Sequence, residues 1–71
     1  MTNSLIKEAI ALAGGQQELA RSCGVRQPSV SEWLRGKKKP SAISAKRIEL
    51  ATGGKILAIN IRPDLYEILD N

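Results

Sequence analysis

No histidine occurs in these 71 residues, which contain one cysteine, one tryptophan, one tyrosine and no phenylalanine. Without histidine and with a single thiol, the chain cannot assemble a His/Cys zinc site, a Ser-His or Cys-His catalytic pair, or an intramolecular disulfide. Two aromatic residues leave the core to Leu, Ile, Val and Ala, which favours helices over a sandwich of sheets. No run approaches 18 consecutive apolar residues, and the start lacks a basic region followed by an apolar stretch and a cleavage site. Neither a membrane-spanning helix nor a secretory signal is therefore expected. Together these absences point to a cytoplasmic protein that is not an enzyme and has no cofactor, metal or small-molecule substrate. The length, below the usual 100–200 residues per domain, implies one domain over residues 1–71, burying only about 60% of its unfolded-chain surface.

Hydrophobic residues make up 42% of the chain and charged residues 25%, close to the soluble globular average, so the chain should fold. Its net charge of +4 is unevenly placed. Residues 21–47 hold Arg21, Arg26, Arg35, Lys37, Lys38, Lys39, Lys46 and Arg47 against Glu32 alone, whereas acids outnumber bases on both sides of this block. A basic middle between weakly acidic ends is the electrostatic footprint of a nucleic-acid surface on a small domain.

Apolar residues at helical spacing predict a first helix over about 4–13, behind three possible caps, Thr2, Asn3 and Ser4, and before Gly14 and Gly15. A second, about two turns long, runs from Gln16 to Cys23 and ends at Gly24, where a left-handed residue would close it. A third extends from Gln27 to about Arg35, with Pro28 tolerated in its first turn. Gly36 to Pro40 is a basic loop. Ser41 caps a fourth helix carrying Ala42, Ile43, Ala45, Ile48, Leu50 and Ala51, closed by Gly53 and Gly54. Residues 55–61 suit either a two-turn helix, the favoured reading, or a C-terminal strand, given their β-branched content. Leu65, Tyr66, Ile68 and Leu69 form a last apolar turn.

The second and third helices and the Gly24 turn make a helix-turn-helix, which holds its second helix so that the outer face enters a major groove. Ala20 is small where the helices touch, Gly24 supplies a positive φ, and Val30 packs the second helix onto the first. Leu19, Val25, Trp33 and Leu34 complete the contact, and Cys23 reads as a small buried hydrophobe rather than a reactive thiol. At 100° per residue, Val30, Trp33 and Leu34 share one arc of the third helix. Gln27, Pro28, Ser31, Glu32 and Arg35 project from the other, and Trp33 therefore belongs to the core rather than to a base-stacking site.

Residues 16–36, Gln-Gln-Glu-Leu-Ala-Arg-Ser-Cys-Gly-Val-Arg-Gln-Pro-Ser-Val-Ser-Glu-Trp-Leu-Arg-Gly, resemble the helix-turn-helix of phage Cro and cI repressors. The Gly53-Gly54 turn and the later Arg62, Pro63, Asp64, Leu65 and Tyr66 also look like the YdaS-like antitoxin domains of the Cro superfamily, so the resemblance covers about residues 5–66. It implies an all-α, five-helix lambda-repressor-like domain, most similar to the all-helical Cro proteins of lambdoid temperate phages, that binds a double-stranded DNA operator as a homodimer. Family members often have Ser or Thr just before the first Gln of the recognition helix. Here that position is Arg26, which exchanges a capping hydroxyl for a cation within reach of a phosphate. In the family the first residue of the second helix commonly braces the first residue of the third against a phosphate and a base, a role the resemblance gives to Gln16 and Gln27.

The chemistry of these side chains suits that role. Gln27 can meet adenine N6 and N7 bidentately while the Gln16 amide orients it and donates to a phosphate oxygen. Pro28 offers methylenes to a thymine methyl, Ser31 can bond most base edges, and Glu32 can accept from cytosine N4 or simply stand solvated. Arg26, Arg35, Lys37, Lys38 and Lys39 are phosphate ligands where the backbone would pass, with Lys46 and Arg47 as further candidates on the fourth helix. Ile56, Leu57 and Ile59 are candidates for a homodimer contact, weak in solution and strengthened on DNA. Two other readings stand beside the repressor: the DNA-binding antitoxin of a toxin-antitoxin pair, and a protein-binding adaptor that keeps the helix-turn-helix only as architecture.

Overall fold

The computed structural model describes residues 3–65. They form α1 (Ser4–Ala13), α2 (Gln16–Cys23), α3 (Gln27–Leu34), α4 (Ala42–Ala51), α5 (Ala58–Ile61) and a closing 3₁₀ turn, Pro63–Leu65. No strand is present among the described residues, so the all-α expectation stands and the strand alternative for 55–61 falls. The apolar turn expected around Tyr66, Ile68 and Leu69 lies outside the described residues.

Helix ends follow the local chemistry. Of the three candidate caps before α1, Asn3 is the one used: its Oδ1 accepts from the N–H groups of Leu5 and Ile6 at 3.1 and 3.2 Å. Two of the four orphan donors of that helix are thereby satisfied. The Asn3 N–H in turn donates to the Leu34 carbonyl at 2.8 Å, stitching the start of α1 to the end of α3. Ser41 caps α4 through its Oγ, which accepts from the Ser44 N–H at 3.1 Å.

Residues 55–61 depart from the expected two-turn helix, because only Ala58–Ile61 is helical. The Ala58 N–H, which would make the first intrahelical bond of a helix opening at Lys55, is already committed to α4. The Ile56 N–H donates to Thr52 Oγ1 at 3.1 Å and the Ala58 N–H to the Glu49 carboxylate at 2.9 Å. The chain therefore crosses Leu57 extended and coils only from Ala58 onward.

The core draws on every helix: Ile6 and Ala9 from α1, Leu19, Ala20 and Cys23 from α2, Val30 and Trp33 from α3, Ala45 and Ile48 from α4, Ala58 and Ile61 from α5. Ile56, just before α5, belongs to it too. Fully burying an aliphatic side chain such as Leu19 or Ile48 contributes about 1.5–3 kcal/mol. α2 packs against both α3 and α4, and α1 lies across α2 and α3, so the outer side of α3 is left open to solvent.

Candidate nucleic-acid interface

The turn between α2 and α3 is built as its residue types require. Gly24 takes φ +70, and its N–H and that of Val25 reach back to carbonyls of the last turn of α2. Val30 and Trp33 face inward, with Val30 wholly buried and Trp33 nearly so, which excludes Trp33 from stacking on bases. Pro28 occupies the first turn of α3, where its missing N–H has no helical partner to lose. Arg26 is the N-cap residue, and its side chain makes no capping bond and is exposed.

On the outer side, Gln27, Pro28, Ser31, Glu32 and Arg35 of the α3 face meet Gln16 of α2 around one open concavity. All four residues expected to read bases therefore share a surface with the expected bracing residue. An α-helix with its side chains is about 10–12 Å across, which fits the width of a B-DNA major groove. Arg26, Lys37, Lys38 and Lys39 lie outside the concavity, all of them exposed, with Arg26 before α3 and the three lysines on the loop after it.

The basic block is not uniformly free. Arg21 pairs with Glu18 at 3.4 Å, Lys46 with Glu49 at 2.8 Å, and Lys38 reaches Glu32 at 3.9 Å. Arg26, Arg35, Lys37 and Lys39 have no carboxylate within ion-pairing distance among the described residues. Glu32 thus sits between the concavity and the lysine loop, and its backbone carbonyl also accepts from the Lys37 N–H at 2.9 Å. The loop ends at Pro40, whose side chain is fully buried and whose carbonyl accepts from Arg62 Nη1 at 2.8 Å. The same guanidinium forks onto Asp64 at 2.6 and 2.9 Å, and that bond holds the Asp64 carboxyl below the usual carboxylate range.

Three features escape a reading of the sequence. Arg47, a candidate phosphate ligand, donates from Nη1 to the Cys23 carbonyl at 2.8 Å, against the turn itself. Burial pushes the Cys23 thiol up, with the Arg47 charge opposing in part, in keeping with a core residue. Ile56 is only 3% exposed and is a core residue, so as a dimer contact it is corrected: its surface is spent within the subunit. Leu57 is exposed and Ile59 half-buried, and these two retain surface to offer a second copy. Among the described residues the most exposed large apolar side chains are instead Ile43 and Leu50 of α4, at 65% and 69%. Their spacing of seven residues, two helical turns, is the signal that sets them on one face.

A family model described as bacterial toxin YdaS matches residues 6–68, nearly the whole chain. The chain belongs to the YdaS family. It is 40% identical over 67 residues to the regulatory protein Cro of Pseudomonas phage D3, an alignment covering 93% of this chain and 92% of that protein. With YdaS of Escherichia coli (strain K12), named as a transcriptional regulator, it shares 41% identity over 63 residues, 89% of this chain. It spans 64% of that relative's length. No solved structure gives a significant match. This YdaS-family chain thus carries the all-helical helix-turn-helix of phage Cro and cI-type regulators.

Proposed function

We propose that the chain is a sequence-specific DNA-binding transcriptional repressor, acting as a dimer that covers a pseudo-palindromic operator and excludes polymerase. One observation carries this reading: the concavity where Gln16, Gln27, Ser31 and Glu32 converge on the open face of α3, flanked by basic side chains. Similarity to the Cro and YdaS regulators supports the DNA-binding regulatory role. Arg26, Arg35, Lys37, Lys38 and Lys39 hold phosphates and fix the register, while Gln27, Pro28, Ser31 and Glu32 read base edges. Half-sites then lie about one helical turn apart, and the subunits meet through Leu57 and Ile59.

Selection of bound sequences from a random DNA pool should return a two-fold symmetric site. Affinity for it should fall steeply with salt. A dimer neutralising about eight phosphates gives a slope of log K against log salt of about −7. A slope near zero in an anisotropy titration would remove DNA as the partner.

The family's description as a bacterial toxin favours a second reading, growth arrest by the same surface occupying host promoters. Arrest that persists after DNA binding is abolished would move that effect to another face of the molecule.

A further inference from the structure

Arg47 lies on α4, outside the helix-turn-helix, yet its guanidinium rests on the turn that joins α2 to α3. Its Nη1 donates to the Cys23 carbonyl, a last-turn acceptor of α2 left without an intrahelical partner. The guanidinium lies directly over Gly24: a Cβ there would stand 2.8 Å from that same nitrogen and push the end of the Arg47 side chain aside. The glycine itself is required for its φ of +70. The rest of the turn is fixed by the Val25 N–H, which donates to the Ala20 carbonyl at 3.0 Å.

We propose that Arg47 is a positioning residue for DNA reading: it clamps the Cys23–Gly24 turn from α4 and so sets how α3 is presented, rather than acting as a phosphate ligand. The inference rests on the DNA-binding reading above and assigns a basic residue of the positive block to a different task. A phosphate ligand and a turn clamp leave different signatures. Loss of a phosphate ligand weakens all DNA alike and lowers the salt slope by about 0.9 per contact, or about 1.8 for a dimer. Loss of a clamp leaves the counterion count unchanged and blurs the geometry on which base readout depends.

Two variants separate them. Arg47→Met keeps the aliphatic stem and removes the donors; Arg47→Lys keeps the charge and removes the planar fork. Titrations of the full chain against the selected operator and against random DNA should show the operator-to-random affinity ratio falling about tenfold in Arg47→Met, with the salt slope unchanged. Arg47→Lys, which keeps a donor for the Cys23 carbonyl, should recover part of that ratio. Amide hydrogen exchange at Val25 should speed up in Arg47→Met, and less in Arg47→Lys, while that of the Ile48 amide in the core does not, a readout that needs no DNA. A slope reduced by about 1.8 with the ratio intact, or Val25 exchange equal to that of the unaltered chain, overturns the proposal. Should the unaltered chain bind no DNA, the functional reading fails, and the Val25 exchange still decides whether Arg47 clamps the turn.

Discussion

Gln27 opens α3 at the rim of the concavity, whereas Lys38 stands beyond the far end of the same helix with only Glu32 beside it. The two should therefore fail differently. Gln27→Ala should cost roughly 1–3 kcal/mol on the selected operator and relax preference at one base pair per half-site, while Lys38→Ala should weaken operator and random DNA together. Equal losses on both DNAs for both variants, measured by anisotropy, would sink the assignment of α3. At this scale much of the candidate site is legible, because Gln27, Ser31, Val30 and Trp33 lie within two helical turns and Gly24 follows directly from the α2 pattern. Arg47 was not legible. Its partner carbonyl lies 24 residues away, and nothing local distinguishes it from a solvated helix-surface cation.

α5 is a single turn and depends on α4 for its start. The Glu49 carboxylate accepts from the Ala58 N–H at 2.9 Å and from Lys46 Nζ at 2.8 Å. The hydrogen bond from Lys46, then that from Ala58, holds its carboxyl below the ordinary carboxylate range. A group depressed on folding stabilises the fold above its unfolded value, near 4.3, and that contribution disappears as pH falls through the lowered folded value. Thermal unfolding of Glu49→Gln, which keeps an acceptor for Ala58, should thus show a lower Tm than the unaltered chain at pH 7. The two should converge on the acid side, and a gap that persists unchanged to pH 2 would contradict the assignment. Asp64 adds its own acid sensitivity to both chains, so the difference between them isolates Glu49. The late start of α5 could not be seen in residues 55–61 themselves, since Glu49 and Thr52, which take the Ala58 and Ile56 donors, belong to the preceding helix and its C-cap.

The molecule measures 32 × 24 × 19 Å, while half-sites one turn of DNA apart lie about 34 Å centre to centre. On the proposed operator two such subunits would meet only at their edges, and with Ile56 in the core, Leu57 and Ile59 would offer a patch well below the roughly 1,200 Å² of a stable interface. DNA then supplies the proximity that the interface lacks. Sedimentation at micromolar concentration should show mainly monomer, with sigmoidal operator titrations; a tight dimer without DNA would require a larger surface, and the exposed Ile43 and Leu50 face of α4 would be the place to look.

The bond from the Asn3 N–H to the Leu34 carbonyl also governs how the protein is handled at the bench. It places the entry of the chain beside the exit of α3, next to Arg35 and the lysine loop. A group attached at Asn3 itself, such as a fluorophore, would stand at the margin of the proposed DNA-reading face. A bulky group there would compete for the space the duplex needs. A label attached at that point would serve instead as a local reporter of occupancy, quenched or shielded when α3 is engaged.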